Sequence, residues 1–214
     1  MVRALCYHLM IASVFLWALG APARAQEPDH IRGQITKFEA SSMDVKTVDG
    51  ETIRLIIPDG LTVIRLAKGS FTKLDFGVYV GTVAERLKGE EYSPLARDSM
   101  SWLHEGLELR IIDEELRGIA AGEQEWDLTP DTIMAHGWVD DIEERTLSIK
   151  YGPTQEEETD VEVGRDIPIL KMSLGDTSLL KPGVYIFAGA QKNGGDEYEA
   201  IFIFAGEDGI VPSM

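Results

Sequence analysis

Residues 61–81, "LTVIRLAKGSFTKLDFGVYVG", align without a gap on residues 167–187, "IPILKMSLGDTSLLKPGVYIF". Five positions are identical: Gly69/Gly175, Leu74/Leu180, Gly77/Gly183, Val78/Val184 and Tyr79/Tyr185. Eight more are close swaps, among them Ile64/Leu170, Arg65/Lys171 and Leu66/Met172. Five identities alone would be weak. The shared order of apolar, turn and apolar segments is what establishes an internal repeat, with an offset of 106 residues.

The repeat extends upstream. "GQITKF" at 33–38 answers "GWVDDI" at 137–142, and "SMDVKT" at 42–47 answers "TLSIKY" at 146–151, now offset by 104. The change of two residues falls downstream of these strands, where a hairpin absorbs it. In the first copy that hairpin is "KTVDGETI", whose Asp49-Gly50 predicts a two-residue turn. The second copy carries the longer acidic loop "GPTQEEETD" at 152–160.

Each copy reads as short strands. Met43, Val45 and Thr47 alternate with Asp44 and Lys46; Leu147, Ile149 and Tyr151 alternate with Ser148 and Lys150. Period two with polar partners marks strands with one face in a core. In "LGDTSLLKPG", Asp176 predicts the cap of one helical turn, with Leu179 and Leu180 facing inward. Pro182-Gly183 then predicts a type II turn, and Phe76 replaces that proline in the first copy. The last strands are "GLELRIID" at 106–113 and "YEAIFIFA" at 198–205. Three strands, a helical turn and two strands is the order of a small OB-like barrel.

The expected fold class is therefore all-β: two tandem small OB-like β-barrels with short helical turns. Module 1 spans 27–116 and module 2 spans 133–214. Between them, 117–132 is a linker or a strap over a barrel, rich in Gly and acids. An insertion in the first copy, "YSPLARDSMSWLHEG" at 92–106, does not alternate and reads as a loop with a short helix.

Ahead of the modules, Arg3, the apolar run Leu9–Leu19 and Ala23-Arg24-Ala25 have the layout of a secretory signal peptide, 1–25, cleaved after Ala25. A membrane anchor is the competing reading, but the run is short for ~30 Å of hydrocarbon. No later stretch is long and apolar enough to span, so no transmembrane span is expected in the mature chain. The expected location is periplasmic or secreted. Cys6, the only cysteine of the 214 residues, lies in the signal, which leaves no thiol or disulfide. Removing Arg3 and Arg24 leaves 18 basic against 37 acidic residues, a net charge of −19. Such a surface repels phosphate backbones, so nucleic acid is not an expected partner.

The strands, the Asp-Gly hairpin and the "LKPG-V" turn resemble an uncharacterised family of exported bacterial proteins built from tandem small OB-like β-barrel domains of unknown function. The resemblance spans nearly all of the mature chain. It is best carried by "GQITKFEASSMDVKTVDGETIRLIIP", by "LELRIIDEELRG" with "WDL", and by "GDTSLLKPGVYIFAGA". It implies fold and export and brings no catalytic residues. Relatives of this type sometimes carry a label of metal ABC transporter permease, which a chain with no spanning helix does not support.

Chemistry is sparse. His30, His104 and His136 share no ligand spacing, while zinc requires three or four converging ligands. Acidic clusters suit divalent cations better. The weak metal candidates are Asp140, Asp141 and Glu143, with His136 on the same segment. Their plainer role is as charged edges that block sheet-to-sheet association. A G-x-S-x-G elbow, a P-loop and a dinucleotide fingerprint are all lacking. The interface candidates are Trp102, Trp126 and Trp138. Gly137 and Val139 take the inward side of their strand, so Trp138 faces outward, toward the linker with its Trp126, toward the other module, or toward an external ligand.

The expected function is a non-catalytic exported binding or interaction protein without a cofactor, whose partner is an unknown protein or envelope component. The alternatives are a cation-handling accessory of a metal transport system, with divalent cations as partners, and an enzyme with a site at the module junction.

Overall fold

A computed structural model describes residues 28–87, 93–95 and 103–213. Residues 1–25, expected to be a signal peptide, and Trp102 lie outside the described residues, as does most of the insertion. The fold is all-β. Its strands are β1 (Asp29–Glu39), β2 (Ser42–Thr47), β3 (Thr52–Ile56), β4 (Thr62–Lys68), β5 (Tyr79–Arg86), β6 (Leu103–Ile112), β7 (Gly122–Glu125), β8 (Thr132–Glu143), β9 (Thr146–Tyr151), β10 (Glu157–Glu162), β11 (Ile169–Leu174), β12 (Tyr185–Gly194) and β13 (Glu197–Gly206). Among the described residues, no helix is long and apolar enough to cross a membrane.

Strand pairing closes two rings. In the first, β1 pairs β2, β2 pairs β3, β3 pairs β13 in parallel, β13 pairs β12, and β12 returns to β1. In the second, the circuit is β8, β9, β10, β6, β5 and back to β8, with β10 and β6 parallel. Each ring therefore takes three strands from one repeat and two from the other. The division into 27–116 and 133–214 marks the repeats along the chain, but the hydrogen-bonded rings cross it.

The crossing is made by β4 and β11. They pair antiparallel with each other, and Leu66 lies opposite its own repeat equivalent, Met172. The β4 strand runs parallel to β13 and β11 runs parallel to β6, so the two rings share one continuous sheet. Gly69 N–H donates to the Ile169 carbonyl, and Gly175 N–H donates to the Val63 carbonyl. Those two bonds exchange under the 106-residue offset, so a pseudo-twofold axis passes through the Leu66–Met172 pair.

Three apolar cores follow from the period-two alternation. Val45, Leu55, Ile186 and Ile203 fill the first ring, and Val80, Leu109, Ile149 and Val161 fill the second. The opposite faces of the shared strands meet between the rings, where Ile64, Leu66, Tyr79, Met134, Met172 and Phe187 form the junction core.

The turn chemistry follows the sequence with one difference. Asp176 accepts from Ser178 N–H at 2.7 Å ahead of a single 3-10 turn, Thr177–Leu179, and Leu180 is buried. Gly77 and Gly183 both have positive φ, 77° and 95°, and open β5 and β12 identically. At the first hairpin only Gly50 has positive φ. Thr47 N–H donates to the Glu51 carbonyl and Gly50 N–H to that of Thr47, so the loop has three residues instead of the two expected from Asp49-Gly50. Asp49 thus keeps an ordinary backbone, and the glycine alone takes the left-handed position.

The ring crossing can be read by cross-linking. Gln34 pairs with Tyr185 across β1 and β12, within reach of a disulfide. Contiguous modules would pair Gln34 with Tyr79. The variant Gln34→Cys/Tyr185→Cys should oxidise to an intramolecular disulfide with altered mobility on non-reducing gels. Gln34→Cys/Tyr79→Cys should not.

Candidate functional site

The two rings leave a cavity of about 530 Å³ at their junction. Two equivalent rows of residues flank it and contribute Arg110, His136, Phe187 and Phe204 to its walls. In the second ring, Gly81 on β5 lies between Arg110 on β6 and His136 on β8. In the first ring, Phe187 on β12 lies between Phe204 on β13 and Arg32 on β1. The offsets make Gly81 the counterpart of Phe187, and His136 the counterpart of Arg32. A glycine where the other copy has a phenylalanine leaves room for the His136 ring, which lines the cavity in place of a second bulky side chain on β5. A Cβ on Gly81 would stand 2.5 Å from the His136 ring, so that ring lies directly over the glycine.

One wall is aromatic. Phe187, Phe202 and Phe204 pack with centroids 5.7–6.1 Å apart. The other wall is polar at its base. Arg110 is 1% exposed, and its Nε donates to Glu108 Oε1 at 2.5 Å. The second Glu108 oxygen accepts from Ser213 N–H and Oγ–H near the chain end. Arg110 Nη2 has no partner among the described residues, and neither does Trp126 Nε1. Leaving one such group buried and unpaired costs about 1–3 kcal/mol. Burial first, and then the Arg110 charge, pull the His136 pKa down to about 3, so the imidazole is neutral at physiological pH.

The strap 117–132 covers the cavity. Its β7 pairs with the first half of β8. At one end the Tyr79 hydroxyl donates to the Ile119 carbonyl at 2.8 Å, and burial pushes its pKa up to about 12, which keeps the donated proton in place. At the other end Asp127 meets His30 Nδ1 at 2.8 Å and accepts from Arg32 Nη2 at 2.6 Å. Partial burial raises the Asp127 pKa, but the hydrogen bonds from Arg32 and His30 outweigh it and hold the carboxyl below its usual value. Trp126 packs on His30 at 4.8 Å and on Phe187 at 5.8 Å, so its indole forms part of the cavity wall.

The sequence candidates are distributed as follows. Trp126 lines the cavity. Trp138 lies in the junction core with its ring edge-on to Tyr79 at 4.9 Å. Asp140 pairs with Lys150 at 2.7 Å, Asp141 accepts from Ile142 N–H, and Glu143 borders a separate polar depression. His136 is four residues from Asp140 along a strand, roughly 13 Å away. Among the described residues no three His, Asp or Glu side chains converge as a metal-binding group. Arg110, Glu108 and the three phenylalanines were not singled out by sequence. In "LELRII" alternation puts Arg110 with Glu108 on the face opposite Leu109, which reads as a surface position.

No protein-family model, curated protein or solved structure matches the chain.

The neutral buried His136 has a pH signature. Its folded pKa lies below the unfolded value of ~6.5, so the unfolded chain takes up the proton first. Stability is then lost as pH falls from about 6.5 toward 3, by up to ~1.4 kcal/mol per pH unit for one proton. Denaturant midpoints from pH 7 to pH 5 should fall for the native chain, and the fall should be shallower in His136→Gln. Equal slopes would remove the assignment.

Proposed function

We propose that this chain is an exported, non-catalytic binding protein of two OB-like barrel modules that holds a small apolar ligand at their junction. The ring order supports the OB-like reading: with β4 and β11 left out of the count, each circuit runs through its first, second, third, fifth and fourth ring strands, and the third and fifth (β3 with β13, β10 with β6) are parallel. The signal layout of residues 1–25 supports export.

The carrying observation is the cavity itself. At about 530 Å³ it falls within the size of small-molecule sites, roughly 300–1,000 Å³. Its lining is mainly aromatic and aliphatic, with a few polar groups at one corner, the usual composition of such a site. Ligand binding without chemistry is also supported by the residue types present. Among the described lining residues the only hydroxyl is that of Thr62, near the mouth, and the one imidazole deep in the wall is held neutral by burial beside a fixed cation.

N-phenyl-1-naphthylamine, an uncharged fluorescent probe made of a naphthalene and a phenyl ring, should bind saturably and raise Tm, because binding favours the native state. Ile201 stands at the mouth and is 43% exposed, so Ile201→Trp fills the entrance without disturbing a core. This variant should keep the native Tm and lose at least tenfold in probe affinity. Unchanged affinity would place the probe elsewhere and remove the reading.

A further inference from the structure

We infer that the junction cavity selects an apolar ligand carrying one anionic head group, seated against the Arg110 guanidinium. This rests on the cavity being a ligand site and specifies the chemistry it takes. Arg110 and His136 stand in one row across β6, β5 and β8, with only Gly81 between them. Gly81 has no side chain to stand between the guanidinium and the imidazole, whose ring lies directly over the glycine, and both groups line the cavity.

The charges in the corner are arranged unequally. Glu108 takes Arg110 Nε, on one edge of the guanidinium, and is itself satisfied by Ser213. The Nη2 group keeps donors with no acceptor among the described residues. The positive charge is still felt on the cavity side, since it disfavours a proton on His136. Trp126 Nε1–H adds a second unpartnered donor in the lining. Two unfilled donors, one of them charged, match a carboxylate or sulfonate, because charge-assisted hydrogen bonds are the stronger kind. The opposite wall of Phe187, Phe202 and Phe204 suits a ring system or a branched apolar body.

The chain as a whole is acidic, with a net charge of −17. That opposes an anion at long range, but exposed charges are screened over about 8–10 Å at physiological salt. Contact with a buried guanidinium is screened much less. The local cation therefore decides what the cavity accepts, and the acidic surface affects mainly the rate of encounter.

Two probes share one apolar body and differ in the head group. They are 1-anilinonaphthalene-8-sulfonate, an anion, and N-phenyl-1-naphthylamine, which lacks the sulfonate. On the full chain the sulfonate should bind about tenfold or more tightly, the size of one charge-assisted hydrogen bond. Arg110→Met alone would strand a buried Glu108 charge, so the variant is Arg110→Met with Glu108→Gln, which removes both charges. In it the ratio of the two affinities should fall to about one. Sulfonate binding that survives Ile201→Trp overturns the assignment to this cavity. A ratio near one in the native chain, with both probes bound, overturns the anion inference and leaves the cavity reading standing. That outcome needs no variant to fold. If neither probe binds, the cavity reading itself fails.

Discussion

The antiparallel pairing of β4 with β11 governs the molecule. It sets Leu66 opposite Met172 and makes the rest of the fold symmetric about that pair. Both side chains are essentially fully buried in the junction core. Because β4 also runs beside β13 and β11 beside β6, the chain leaving β4 enters the second ring, and the chain leaving β11 enters the first. The exchange of strands, the shared core and the cavity all follow from that one ladder.

Symmetry positions the site and its breakage makes the site useful. Two equivalent rows face each other across the junction, and phenylalanines on both would fill the space. Gly81 opposite Phe187 leaves room, and Arg110 in place of a second Phe204 makes the room polar at one corner. The buried Arg110–Glu108 pair is costly to desolvate and is weak as a source of stability. Such a pair is better understood through what it presents to the cavity.

Parts of this were readable in the residues. The period-two alternation of 42–47 and 146–151 corresponds to β2 and β9, because each has one face in a ring core. The cap at Asp176 and the turn glycines 77 and 183 are local chemistry and follow from residue type. Arg110 was not readable as a site residue. A charged side chain between Leu109 and Ile111 has the pattern of a solvent-facing position, and only the junction with the first ring buries it. Trp126 drew notice for its residue type, but its place depends on Asp127 reaching His30 and Arg32, 97 and 95 residues earlier in the chain.

The sequence by itself determined the all-β class, the turn positions and the strand faces, because these depend on side chains only a few residues apart. Only the tertiary structure decided which repeat completes which ring. A strand from one copy makes the same contacts as its equivalent from the other, so the local sequence is identical in its demands either way. The choice comes from the ladder between β4 and β11, which is a contact between the copies and has no signature within either one. The cavity inherits that choice: its two walls are the faces that only this crossing brings together.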